Sequence, residues 1–202
     1  MFTRIVFVSG FLGSGKTTFI VKLVESLAQR NIKAALIVNE AGEIGIDNQY
    51  MKQLGYNVWE IFGGCICCTL SVSLEHTIQE LEKNYHPDVI IIEPSGAANP
   101  ETVYNSLISF GIEKERIANF FILDPTRIEM FLEILTPLLI SSLELADCVL
   151  INKIDLADGE SIEKCRELAL THGPHSPNFL IDASQSLSGE LSGYIADLIV
   201  KR

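Results

Sequence analysis

The run Gly10-Phe11-Leu12-Gly13-Ser14-Gly15-Lys16-Thr17-Thr18 constrains this chain more than any other. It follows the apolar stretch Ile5-Val6-Phe7-Val8 and opens a segment, Thr17 to Gln29, with Phe19, Ile20, Leu23, Val24 and Leu27 at helical spacing. A strand that turns through glycines into a helix aims successive backbone N–H groups, and the positive end of the helix, at one spot. The spacing G-x-x-x-x-G-K-S/T makes that spot a phosphate trap, with Lys16 reaching the β- and γ-phosphates and the Thr17 hydroxyl placed to hold Mg²⁺. Gly13, Ser14, Gly15, Lys16, Thr17 and Thr18 are the expected nucleotide-binding residues, and Lys16 is also expected to be catalytic.

Apolar, β-branched runs recur along the chain at Arg4 to Val8, Ala34 to Val38, Val89 to Ile92, Phe120 to Leu123, Cys148 to Ile151 and Phe179 to Ile181, with a further short strand near Val58 to Ile61. Helices are expected over Lys16 to Arg30, Ser71 to Tyr85, Pro100 to Phe110, Arg127 to Leu145, Gly159 to His172 and Ser188 to Lys201. The alternation predicts an α/β fold, a mostly parallel central sheet with helices on both faces. In an open sheet of this kind ligands bind at the carboxyl ends of the strands, and each motif below falls at such an end.

With 202 residues, 48% of them hydrophobic, the chain is expected to form a single domain over 1–202. A formal charge of −11 argues against a nucleic-acid-binding surface, because phosphate backbones demand basic patches. No apolar run is long enough to span a bilayer and no signal peptide opens the chain, so no membrane partner and a cytoplasmic location are expected. Five cysteines, an odd number, do not suit a disulfide framework.

Asn152-Lys153-Ile154-Asp155 has the N-K-x-D form of a guanine-reading loop. A carboxylate accepts only, so Asp155 can take the N1–H and N2–H₂ protons of guanine, whereas adenine has no proton on N1. GTP is therefore expected rather than ATP. Asn152 would support base and loop, the stem of Lys153 would lie over the ring, and Ala183-Ser184 would add a backbone contact to guanine O6. Glu93, in Glu93-Pro94-Ser95-Gly96, puts a carboxylate at a strand end to hold Mg²⁺ through water or to orient the attacking water. The loop Asn39-Glu40-Ala41-Gly42-Glu43-Ile44-Gly45-Ile46-Asp47 occupies the place of a first switch segment, and Glu40 is expected to share the catalytic and metal-binding work.

Gly63-Gly64-Cys65-Ile66-Cys67-Cys68 packs three thiols into four residues, a soft-ligand set for Zn²⁺ or Co²⁺, with Ni²⁺ as a further option. The remaining coordination position is open to water, Glu40 or Glu43, His76, or a second protomer. Cys148 and Cys165 are expected to be packing residues.

Together GFLGSGKTT, NEAGEIGID, GGCICC, EPSG and NKID resemble, in content and order, the CobW-type P-loop GTPases and metallochaperones. The C-x-C-C motif of that family matches Cys65, Cys67 and Cys68, and the glutamate of its third GTPase motif matches Glu93. The resemblance covers the GTPase domain; the C-terminal domain common in the family is not among these residues. It implies a GTPase that couples hydrolysis to delivery of a transition metal to a client apo-metalloenzyme or cofactor-pathway protein, with nucleotide-dependent homodimerisation. The alternatives are a GTP- and metal-dependent regulatory binding module, or a corrinoid-pathway or nickel-type accessory GTPase. No arginine is placed near the phosphates by the sequence, so slow intrinsic hydrolysis is expected. Substituting Cys67 is expected to abolish most metal binding while leaving GTP binding largely intact; in a metal titration, unchanged stoichiometry would contradict the assignment.

Overall fold

The computed structural model describes residues 3–38, 58–60, 69–94 and 99–200. Its strands are β1 (Arg4–Gly10), β2 (Ala34–Val38), β3 (Val58–Glu60), β4 (Val89–Glu93), β5 (Ile117–Leu123), β6 (Cys148–Ile151) and β7 (Asn178–Leu180). They form one seven-stranded sheet in the order β3-β2-β4-β1-β5-β6-β7, and every pairing is parallel. Parallel neighbours need crossovers, supplied among the described residues by α1 (Lys16–Gln29), α2 (Thr69–Glu80), α3 (Pro100–Ser109), α4 (Ile128–Ile134), α5 (Thr136–Leu145) and α6 (Gly159–His172), while α7 (Gly189–Val200) follows β7 and packs back onto the sheet.

The period-two alternation of the strands sorts the core into two faces. Val6 and Val8 of β1 pack with Phe19, Leu23 and Leu27 of α1, and with Leu191 and Ile195 of α7. Ile5 and Phe7 point the other way, toward Leu74 and Ile78 of α2 and Leu107 of α3. On that second face the β5–β6 half of the sheet carries Phe121, Leu123, Val149 and Ile151 against α4, α5 and α6. Strands buried on both faces read as unbroken apolar runs, which is why they stand out in the sequence.

One expected helix is two. The segment Arg127 to Leu145 breaks at Leu135, where α4 ends and α5 begins, with Pro137 in the first turn of α5. Proline lacks the N–H that a continuous helix would use, and its ring collides with the carbonyl four residues back. Other boundaries shift by a few residues. The α2 helix closes in a π turn over Leu81–Tyr85 with His86 in the left-handed region at φ 50°, β5 starts at Ile117, and Ser188 caps α7 through its hydroxyl on the Leu191 N–H at 3.2 Å. Among the described residues, no helix is long and apolar enough to cross a membrane.

The topology places β1 at the switch point. The chain leaves β1 toward β2 on one side and later fills β5 to β7 on the other, so a crevice opens at the carboxyl end of β1, where the Gly10 turn begins. Aromatic packing joins α1 to the sheet: the Phe19 and Phe120 ring centres lie 6.3 Å apart, with both residues fully buried. Phe120→Ala is expected to destabilise the fold by about 3–5 kcal/mol in chemical denaturation, and a loss below about 1 kcal/mol would contradict this packing.

Candidate functional site

Two glycines shape the turn after β1. Gly10 has φ 152°, and a Cβ there would come within 2.7 Å of both the Ile122 carbonyl oxygen and Ser14 Oγ. Gly15 has φ 99° and forms the N-cap of α1, and a Cβ on it would collide with the Asn152 amide nitrogen. No side chain caps α1, and its first turn holds no acidic residue. The first N–H groups of a helix have no partner within it, so this end of α1 suits an anion.

Lys16 is 6% exposed, with Nζ donating to the Phe11 carbonyl at 3.3 Å across the turn. Thr17, in the first turn of α1, donates its hydroxyl to Glu93 Oε1 at 2.8 Å. Glu93 ends β4, next to β1 in the sheet, and is 7% exposed. Two sequence motifs 76 positions apart therefore meet through a hydroxyl and a nearly buried carboxylate. Ser14 Oγ is buried without a hydrogen-bond partner among the described residues, while Thr18 is exposed.

Asn152, which follows β6, ties the crevice together. Its Nδ2 donates to the Ser14 carbonyl at 2.8 Å, and its Oδ1 accepts from the Ala183 N–H at 2.9 Å. The Ser184 N–H and hydroxyl both donate to Asp182 Oδ1, at 2.9 and 2.6 Å. The N–H groups of Ala183 and Ser184 are thus used to fix this turn against Asn152 and Asp182. Lys153 sits in the left-handed region at φ 60°, a strained conformation for a residue with a Cβ. Its Nζ is held by Asp124 Oδ2 at 2.8 Å. Asp155, two residues on, is exposed on the rim.

Asp124 and Arg127 were not singled out by sequence motifs. Asp124 follows β5 and is completely buried. Its Oδ1 accepts from the Thr126 N–H and hydroxyl, and its Oδ2 from Lys153 Nζ and from Arg127 Nε at 3.1 Å. Arg127 Nη2 in turn donates to the Leu12 carbonyl in the glycine-rich turn at 2.6 Å. The available signal was an aspartate two residues ahead of a threonine just past an apolar run, the pattern of an Asx turn.

Cys148 and Cys165 are fully buried, and burial raises both thiol pKa values. His76 is exposed on α2, with Nδ1 3.9 Å from Glu80 Oε2. The Asn39 to Asp47 loop with Glu40 and Glu43, the cysteines Cys65, Cys67 and Cys68, and Ser95-Gly96 lie outside the described residues. Among the described residues, no group of three or more His, Cys, Asp or Glu side chains is placed to hold a metal ion.

Burial by itself would raise the Asp124 pKa, but hydrogen bonds from Lys153 and Thr126 and the charges of Lys153 and Arg127 outweigh it and hold the carboxyl below its ordinary value. A folded-state pKa below the unfolded one means the carboxylate favours folding above about pH 4, and that contribution disappears as pH falls through the folded value. Asp124→Asn is therefore expected to lose less stability than the unsubstituted chain when denaturation is followed from pH 5 toward pH 2; parallel acid limbs would contradict this.

Residues 4–179 match the family described as CobW/HypB/UreG, nucleotide-binding domain. The zinc chaperone YeiR of Escherichia coli is 38% identical over 125 residues, covering 61% of this chain and 38% of that protein. The zinc chaperone CobW of a Sinorhizobium species is 40% identical over 101 residues, covering 46% of this chain and 28% of its own length. The chain thus matches well under half the length of these relatives. In fold it is similar to HypB from Helicobacter pylori, crystallised in complex with nickel, at TM-score 0.69 and 18% identity, covering 98% of this chain and 88% of that one. The family match runs from the first residue of β1 into β7, taking in the glycine-rich turn, Glu93 and the Asn152 loop, and the chain belongs to the CobW/HypB/UreG nucleotide-binding domain family.

Proposed function

We propose that this chain is a GTP-hydrolysing metallochaperone or metal-insertion protein. It binds a transition metal at Cys65, Cys67 and Cys68 and couples hydrolysis to delivery of that metal to a client apo-metalloenzyme or cofactor-pathway protein. The observation that carries the hydrolytic half is the 2.8 Å contact between Thr17 Oγ1 and Glu93 Oε1 below the uncapped start of α1. A hydroxyl and a carboxylate form a hard, all-oxygen donor pair, which fits Mg²⁺ better than a soft metal. Mg²⁺ bound there would neutralise charge on the phosphates. Thr17 would hold it, Glu93 would position it or orient the attacking water, and Lys16, with Gly13, Ser14, Gly15 and Thr18, would cradle the phosphate oxygens. Guanine would be read by Asp155, with Asn152 holding its loop to Ser14 and Ala183.

The metal half rests on the sequence and on kinship. Three thiolates suit zinc, and the relatives above carry the name zinc chaperone. Glu40 and the Asn39 to Asp47 loop would link nucleotide state to metal state, and a nucleotide-dependent homodimer would be the delivering form.

Two measurements test the two halves. Glu93→Gln should keep GDP affinity within a few-fold while lowering the rate of phosphate release from GTP by about 100-fold or more; an unchanged rate would overturn the role given to Glu93. Zinc-loaded protein given an acceptor chelator should release metal with GTP but not with a non-hydrolysable analogue, and equal release with both would overturn the coupling.

A further inference from the structure

Strand β5, helix α4 and the connection between them grip the outer side of the glycine-rich turn at consecutive residues. Phe11 is buried against the Phe131 ring at 4.4 Å and against the Phe121 ring at 5.9 Å. At the next residue the Leu12 carbonyl accepts from Arg127 Nη2 at 2.6 Å, while the Leu12 side chain is exposed. The guanidinium also covers the Cα of Gly13, since a Cβ there would lie 3.4 Å from Arg127 Nη2.

Arg127 is itself held on two sides. Its Nε donates to the buried Asp124 carboxylate at 3.1 Å, and its guanidinium carbon stands 5.3 Å from the centre of the Phe131 ring. Asp124 is fixed by the turn it caps and by Lys153 Nζ. The guanidinium therefore has little freedom, and the Leu12 carbonyl must come to it.

We propose that Arg127 is a positioning residue for the phosphate loop, fixing the Leu12–Gly13 peptide so that the Gly13 N–H is turned to the nucleotide. The physical step is short. Across a trans peptide the C=O and the following N–H point in opposite directions, so a carbonyl held against Arg127 turns the Gly13 N–H away from the guanidinium. A free Gly13, at φ 74°, has several other conformations open to it, and most would aim that N–H elsewhere. Holding one of them in advance removes part of the ordering cost of binding. The same Asp124 Oδ2 takes Lys153 Nζ, so the phosphate loop and the Asn152 loop share one buried anchor. Lysine cannot substitute, because one ammonium on a flexible stem does not reproduce a planar fork that engages Asp124 and Leu12 together.

The inference rests on the nucleotide-binding half of the proposed function. Dissociation of a fluorescent GDP analogue and steady-state GTP hydrolysis would be measured for the unsubstituted chain, Arg127→Met and Arg127→Lys, each checked for folding by its thermal transition. Both variants should release the nucleotide about 10-fold faster and show a raised KM, with kcat within about 2-fold, because the lost contact serves ground state and transition state alike. A dissociation rate equal to that of the unsubstituted chain in Arg127→Met overturns the proposal. Full recovery in Arg127→Lys also overturns it, since charge alone would then suffice. If Arg127→Met does not fold, Arg127→Lys decides. Absence of nucleotide binding by the unsubstituted chain overturns the nucleotide-binding reading itself, and this inference with it.

Discussion

The carboxamide of Asn152 is the interaction on which the crevice depends. It is 2% exposed, and its two ends join the glycine-rich turn through the Ser14 carbonyl to the turn after β7 through the Ala183 N–H. Removing it would strand a carbonyl and an N–H in a buried place, at a cost of about 1–3 kcal/mol for each group. Gly15 belongs to the same constraint, because any Cβ at that position would strike the Asn152 amide. The sheet brings β1 and β6 to the same edge, but Asn152 sets how the loops leaving them sit against each other.

A second anchor lies on the outer side of the crevice. Asp124 is buried yet stays ionised below its ordinary titration range, because Lys153, Arg127 and Thr126 surround it. Those donors tie three separate pieces of chain to one carboxylate: the strained Lys153, the turn after β5, and, through Arg127, the Leu12 carbonyl. The phosphate loop is thus held from both sides, by Asn152 at Ser14 and by Arg127 at Leu12. In the proposed function this two-sided hold lets a binding event at the phosphates be felt at the loop that reads the base.

The legible part of the molecule was the part written in local pattern. Parallel strands buried on both faces give continuous apolar runs, which place β1, β2, β4, β5 and β6, while the edge strands β3 and β7 are foreshadowed by the shorter runs near Val58 to Ile61 and Phe179 to Ile181. The short β3, on the sheet edge, had only a brief apolar signal. Gly10, Gly15, Lys16 and Thr17 were visible because a phosphate-binding turn demands those residue types at fixed spacing. The pairing of Thr17 with Glu93 was not visible in the same way. It joins residues 76 apart, and only the placement of β4 beside β1 brings them together. In the sequence Arg127 stands only as the first residue of an expected helix, because its partner in the phosphate loop lies 115 positions away. The break at Leu135 does carry a local signal, since Pro137 disfavours a continuous helix through the segment.

The central claim is that these loops converge to bind a guanine nucleotide. Its most direct test is calorimetric titration of the unsubstituted chain, in the presence of Mg²⁺, with GDP and with ADP. Binding of GDP at least about 100-fold tighter than ADP is predicted, because ADP would leave the Asp155 carboxylate facing an unprotonated N1. Equal affinities for the two nucleotides, or binding of neither, would contradict the account.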